Sequence, residues 1–368
     1  MTARPLLSYI TRQSPYMPRT VAAGVSEFVV YNHMYMPIAY GRDPLEDYTA
    51  LVERVTLWDV GAERQTQLRG PDALRLADYL CPRDLSGLGV GGCRFTSVCD
   101  HKGEIMADCI VLRPWEDTVW ISHGDVDFEL WAHGYGLAGG YDAEVSEADV
   151  PPIQLQGPLS SEVLAPVVAV DLAELPRFSC VESEVAGVPV VVSATGWSRE
   201  HGYEIYPLGS DRALEVWDAL ATSGEPHGLL VTGPNINRAV EQGILDTQYR
   251  MNSRMNPFEA GQGPMLDLDR EDFVGRNALL AVRESGPIRA TIGLLVEGEA
   301  FPMFEDFWPV TVDGHTVGHT RWAVWSYALG ANIAIALVDV GSTTEQRFDV
   351  HSPVGIRSAT PHPIPFVD

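Results

Sequence analysis

The chain has 368 residues, 25 of them Lys or Arg and 50 Asp or Glu, for a formal net charge of −25. With 45% hydrophobic and 20% charged residues its composition is that of a soluble globular protein, and its length calls for two or three structural units. Such a charge repels phosphate and no Lys/Arg run offsets it, which disfavours nucleic-acid and anionic-membrane partners; no stretch reaches the roughly 18–20 apolar residues of a spanning helix.

Residues 1–30 read as a partly irregular, polar arm without an apolar core of signal-peptide length, so a cytoplasmic location is expected. The aromatic and Met-rich stretch 31–40 follows neither helical nor strand period. Segment 63–68 is a polar strand candidate, and Gly70-Pro71-Asp72 then leads into a helical pattern ending at Leu80, with Asp72 as candidate N-cap. Strands are expected over 92–99 and 105–113 around the turn Asp100-His101-Lys102-Gly103, then over 117–122, with a helix near 125–137. The alternation continues as strand 152–156, helix 160–167, strands 187–194 and 202–207, and helices 211–222 and 235–246. This lacks regular βαβ spacing and predicts an α+β arrangement. A helix leads to Gly286-Pro287, the best boundary, beyond which 289–297, 308–313, 317–324, 332–339 and 347–351 read as strands of a small β-barrel or sandwich. The expected division is 1–284 and 285–368.

Five cysteines, an odd number without a C-x-x-C pair, argue against a disulfide framework or a thiolate zinc site, and Cys93 and Cys99 read as small buried hydrophobes. Gly87-Leu88-Gly89-Val90-Gly91-Gly92 satisfies G-x-G-x-x-G, but a strand-like segment follows where a dinucleotide site needs a helix. Asp267, Asp269 and Glu271 imitate a calcium loop, yet Asp272 stands where the sharp turn requires Gly. The ten histidines show no metal-ligand spacing, and no metal is expected.

Several pieces in order resemble the aminomethyltransferase family, the glycine-cleavage T-protein and its tetrahydrofolate-dependent relatives. They include Leu57-Trp58-Asp59-Val60, Leu68-Arg69-Gly70-Pro71-Asp72-Ala73, Lys102-Gly103-Glu104-Ile105-Met106-Ala107-Asp108 and Leu155-Gln156-Gly157-Pro158. Thr195-Gly196-Trp197-Ser198-Arg199-Glu200-His201-Gly202-Tyr203-Glu204 and Asn256-Pro257-Phe258-Glu259-Ala260-Gly261 are the strongest. The resemblance implies a three-domain ring of the T-protein type: two mixed, intertwined α+β domains that bind folate, plus a C-terminal β-barrel-like domain. Tyr31-Asn32-His33-Met34, Trp58 to Gln65 and Cys81-Pro82-Arg83-Asp84-Leu85 look like the dimethylsulfoniopropionate demethylase branch.

Three departures bear on chemistry. Glycine-cleavage enzymes carry two adjacent aspartates where this chain has Ala107-Asp108, and a methyl side chain neither accepts a proton nor stabilises an iminium. Trp197 stands where the family usually has Tyr, an exchange that preserves stacking on a pterin. The family Arg two residues before Glu241 is replaced by Ala239, with Arg238 one step earlier, turned by about 100° on a helix.

By this resemblance Glu204 binds the pterin, since a carboxylate accepts bonds from its amino and ring N–H groups; the alternative is an exposed strand Glu. Asp108 is the catalytic candidate, orienting substrate or receiving the N5 proton, against a plain strand-edge Asp. Trp197 and Arg238 are assigned to the folate. Tyr31, Met34 and Trp58 are assigned to the substrate pocket, where aromatic faces attract onium cations, against ordinary core packing. Arg321 meets either a folate carboxylate or a surface ion pair. The function implied is demethylation of a small sulfonium, ammonium or methoxy donor, forming 5-methyltetrahydrofolate. Rival readings are aminomethyl transfer with a lipoyl carrier protein, disfavoured by Ala107, and a non-catalytic folate-binding or iron–sulfur assembly protein, which lacks its K-G-C-x-x-G-Q pattern here. A homo-oligomer is compatible with all three.

Overall fold

The computed structural model describes residues 10–245, 254–302, 304 and 306–367; residues 1–9 of the expected arm and the last residue of the expected 235–246 helix lie outside them. Two compact units emerge. The first comprises Met1–Thr96, Ala107–Gly196 and Glu200–Asn235, the second Ser97–Met106, Trp197–Arg199 and Ile236–Asp368.

The arm is more regular than expected. Helix α1 (Met17–Ala22) starts with Pro18 in its first turn, and strand β1 (Glu27–Tyr31) forms a hairpin with β2 (Met34–Ala39). Asn32 and His33 turn the hairpin at φ of 49° and 61°, the left-handed pair that a two-residue turn needs and that Asn tolerates. Side-chain period misses this strand because β2 is buried on alternate and adjacent positions alike. Helix α2 (Pro44–Glu53) is capped by Asp43, whose carboxylate accepts from Leu45 N at 3.0 Å, with Pro44 pre-set for the first turn. Asp43→Ala is expected to lower stability by about 1 kcal/mol, read as a shift of the denaturation midpoint with unchanged slope.

Strands β3 (Thr56–Asp59) and β4 (Gln65–Arg69) precede α3 (Ala73–Leu80), which buries Ala73, Leu76, Ala77 and Leu80 on one face. Asp72 does not cap that helix with its side chain; the carboxylate instead accepts from Asp142 N at 2.9 Å and from Arg75 at 2.8 Å. Next come β5 (Cys93–Cys99), β6 (Ile105–Trp115), β7 (Thr118–His123), α4 (Phe128–Gly139), β8 (Glu144–Ala148), β9 (Ile153–Gln156), α5 (Ser160–Leu164), β10 (Cys180–Val185), β11 (Val188–Ser193), β12 (Gly202–Pro207), α6 (Ala213–Gly224) and β13 (Leu230–Thr232). They build a six-stranded sheet in the order β10-β11-β12-β9-β3-β13, parallel only at β3–β13, and a five-stranded sheet in the order β5-β6-β7-β4-β8. One face of the six-stranded sheet, with Leu57, Ile153, Leu155, Val190, Val192, Tyr203 and Ile205, packs on Val216, Trp217 and Leu220 of α6. On its other face Val191 and Tyr206 meet Cys93, Leu112 and Trp120 of the five-stranded sheet.

In the second unit α7 (Ile236–Glu241) and α8 (Arg276–Ser285) precede β14 (Arg289–Val296), β15 (Pro309–Val312), β16 (His315–Ser326), β17 (Ala331–Asp339), β18 (Phe348–Ser352) and β19 (Gly355–His362). These strands close a barrel in the order β14-β17-β16-β15-β18-β19. Ala334, Ala336 and Val338 of β17 point into its core, while Ile333 and Ile335 pack outside against Val240 of α7 and Phe366. Burial on both faces explains why β17 reads as one unbroken apolar run. Arg321 is buried, not at the surface: its guanidinium lies 4.9 Å above the Phe307 ring. No helix among the described residues is long and apolar enough to cross a membrane.

Candidate active site

Strand register lines up a polar row across the six-stranded sheet. Ser193 of β11 lies opposite Glu204 of β12, Glu204 opposite Gln154 of β9, Gln154 opposite Trp58 of β3, and Trp58 opposite Thr232 of β13. Directly opposed residues share a face, so five strands place these side chains side by side on the face turned toward the five-stranded sheet. The alternation of β12 is simple: Tyr203 and Ile205 enter the apolar core, Glu204 and Tyr206 the polar seam.

Glu204 is buried and well held. Gln154 Nε2 donates to its Oε1 at 2.8 Å, Tyr206 OH donates to its Oε2 at 2.8 Å, and the Thr195 hydroxyl donates to the same oxygen. Thr195 in turn exchanges a 2.7 Å bond with Ser193, which lies 3.5 Å from Cys93 Sγ. Gly196 follows Thr195 with its Cα against the Gln156 amide, leaving no room there for a Cβ. Burial pushes the Glu204 carboxyl above its ordinary range, and the three donors pull it back. Tyr206→Phe removes one donor from this buried carboxyl and is expected to lower stability by about 1 kcal/mol, read in urea denaturation.

A second carboxyl stands beside it. Glu63, between β3 and β4, receives Gln154 Nε2 at 3.4 Å, so one amide spans both acids. Burial holds Glu63 well above the usual carboxylate range, with Glu204 and Asp108 adding to the effect against the bond from Gln154. Glu204 has three good donors and Glu63 one long contact, so Glu63 is held higher than Glu204. Asp108, on β6, is half-buried and close enough to act on Glu63, while Ala107 before it is fully buried on the opposite face.

The hairpin brings in the pocket residues. Asn32 is 1% exposed; its side chain donates to Ala62 O at 3.1 Å and accepts from Val126 N at 3.2 Å, which fastens the turn between Tyr31 and Met34 to the loop bearing Glu63. Met34 and Glu63 consequently line one cavity of about 480 Å³ with Gln65, Arg12, Arg64 and Glu147. Tyr31 is half-buried at the strand end. Trp58 is fully buried against Leu51 and Val60, with its indole N–H lacking a partner. Trp197 and Arg238 fall in the second unit: Trp197 is half-buried, and Arg238 donates to the buried Glu241 at 3.2 Å on its own helix.

The sequence reading placed Glu204, Asp108 and Met34 but overlooked Glu63, Gln154, Thr195, Tyr206 and Asn32 as parts of one arrangement. Alternation around Glu204 was the available signal for Tyr206; nothing local announces that Gln154 is its cross-strand neighbour.

Comparison with known proteins identifies the family and the fold. The GCVT N-terminal domain family matches residues 17–270, and the glycine cleavage T-protein C-terminal barrel domain matches residues 289–368. The chain is 34% identical to the dimethylsulfoniopropionate demethylase of Ruegeria pomeroyi, over 95% of both chains. It is 31% identical to an aminomethyltransferase of Streptomyces avermitilis over 87% of both. Identity is also 31% to a trimethylamine-oxide aldolase of Ruegeria pomeroyi, over 90% of this chain and 43% of that one. The crystal structure of glycine cleavage system aminomethyltransferase T from Bartonella henselae superposes with a TM-score of 0.83 over 97% of this chain and 98% of that one, at 20% identity, and shows the same fold.

Proposed function

The chain belongs to the glycine cleavage T-protein family, and from that premise we propose that it moves a methyl group from a small onium donor to tetrahydrofolate, forming 5-methyltetrahydrofolate. The observation that carries this reading is the buried Glu204, held by Gln154, Thr195 and Tyr206, with Glu63 and Asp108 beside it.

These residues fit a pterin. Glu204 Oε1 accepts one bond, which leaves a lone pair for an N–H of the ring, and the unpartnered indole N–H of Trp58 on the same row offers a donor for a ring acceptor. The family resemblance assigns Trp197 to stack on the ring and Arg238 to the folate. Tetrahydrofolate, as methyl acceptor, supplies the N5 lone pair. The chain's own part is positioning: Glu204 fixes the acceptor, Tyr31, Met34 and Trp58 enclose the donor, and exclusion of water keeps the methyl group for N5. A sulfonium or ammonium leaving atom keeps the bonding pair and departs neutral, so it requires no acid. Asp108 takes the proton released at N5.

Residues 1–284 are taken as the folate-binding region and 285–368 as its barrel, in a cytoplasmic enzyme acting on a small molecule. Cys81, Cys93, Cys99, Cys109 and Cys180 are buried free thiols, as a reducing compartment leaves them. Ala107 speaks against aminomethyl transfer, because the first carboxyl of the family pair is absent. The test is a screen of sulfonium, ammonium and methoxyaryl donors with tetrahydrofolate, read as 5-methyltetrahydrofolate. No methylated folate from any donor overturns the proposal, as does ammonia release from an aminomethylated lipoyl carrier.

A further inference from the structure

We propose that Glu63, which lines the Met34 cavity one amide away from Glu204, is the residue that reads the charge of the donor, its carboxyl taking the onium head as counterion. This rests on the methyl-transfer reading and names the group that selects the substrate class.

Two independent observations support it. Glu63 shares the cavity of about 480 Å³ with Met34, a soft, polarisable wall suited to a methylated sulfur or nitrogen. The same lining carries Glu147 and Asp149 beside Glu63, three carboxyls against the two guanidiniums of Arg12 and Arg64. That excess of acid is relieved by a cation and not by an anion or an apolar group.

The surrounding charges leave Glu63 available. Arg64 is committed to Glu147 at 2.9 and 2.5 Å, and Arg12 reaches the same carboxylate at 2.7 Å. Asp149 on the rim accepts from Ser210. Facing Glu63 from β12 are Glu204 and Tyr206, and from β6 Asp108, so its own neighbourhood is acidic. Where Glu63 holds a proton, entry of a cation displaces it to solvent. Donor binding is thereby linked to proton release, to an extent that rises as pH falls.

The experiment uses the full chain and two matched probe pairs: dimethylsulfoniopropionate with 4-methylpentanoate, and glycine betaine with 3,3-dimethylbutanoate. In each pair a neutral carbon replaces the onium atom at nearly constant shape. The wild type is expected to prefer the cation at least tenfold in one pair, and titration in two buffers of different ionisation enthalpy to show the released proton. Glu63→Gln is expected to bring that preference within threefold and abolish the proton release; Glu63→Asp should keep part of it. Equal binding within both pairs, no binding at all, or a preference that survives in Glu63→Gln overturns the inference. If 5-methyltetrahydrofolate forms while the preference is absent, only this inference fails; if the preference stands and no donor yields methylated folate, only the methyl-transfer reading fails.

Discussion

Glu204→Gln is expected to weaken tetrahydrofolate binding by roughly tenfold to over a hundredfold while leaving the donor pocket nearly unchanged. The acceptor face of the carboxylate is what a pterin N–H requires, and loss of a charge-assisted hydrogen bond costs about 1.5–3 kcal/mol. Folding should survive the change. The hydroxyls of Tyr206 and Thr195, which both donate to Glu204 now, can rotate to accept from an amide nitrogen, and Gln154 can keep the amide oxygen. Asp108→Asn provides the contrast. It should leave folate affinity near the wild-type value and depress turnover, because the assigned role of Asp108 is to take a proton and not to hold the ring. Folate titration beside single-turnover kinetics separates the two. Equal loss of folate affinity in both variants would show that Asp108 belongs to the binding surface.

The second large effect is on stability, at Asp59. This residue ends β3, is 1% exposed, and accepts from Ser14 Oγ at 2.5 Å and from Gly61 N at 3.1 Å. Burial raises its carboxyl from 3.8 to about 6, against the bonds from Ser14 and Gly61. A carboxyl raised in the folded state favours folding while both states are protonated, below the unfolded value. That contribution is lost as pH rises through the folded value. Two units correspond to ~3 kcal/mol, spent between about pH 4 and pH 6. Asp59→Asn keeps the acceptor for Gly61 and gives Ser14 a donor, with no charge to desolvate. Relative to the wild type it should therefore gain about 3 kcal/mol between pH 4 and pH 7, measured by urea denaturation across that range. His123 acts in the opposite sense: burial lowers it to about 4, so its contribution is present above its ordinary 6.5 and lost as pH falls. It is common to both proteins and cancels in the difference. A variant curve parallel to the wild type would mean that Asp59 titrates normally.

Most elements were legible because their residues repeat with the period of the element. The buried face of α3, the alternating β6 and the apolar run of β17 all declare themselves in sequence, as does the turn at Asp100–Gly103, where Asp100 Oδ1 receives Lys102 N and Glu104 N at 2.8 and 3.0 Å. Helix α2 and strands β3, β8, β10, β13 and β19 were not recognised. Strands β8, β10 and β13 lie at sheet edges, and β8 and β10 carry Glu on partly exposed faces, so the pattern that marks a buried strand is absent; β3 is four residues long and buried throughout, too short to show a period. The turn at Asn32-His33 was hidden because its signal is a backbone conformation, not a hydrophobic pattern.

What the sequence determined by itself, then, is the family, a C-terminal β-domain and the order of those elements whose residues repeat with the period of the element. What only the tertiary structure decided is which side chains meet. Glu63, Gln154 and Glu204 are separated by 91 and 50 positions along the chain, and strand register alone makes Gln154 the bridge between two acids. Side-chain period tells a strand which face to bury; it says nothing about which partner lies across the ladder, because that choice is made by the packing of whole sheets. The same reason holds Glu63 higher than Glu204: a carboxyl's charge depends on the donors that converge on it, and those arrive from β9, β12 and the loop after β11, never from its neighbours in sequence alone.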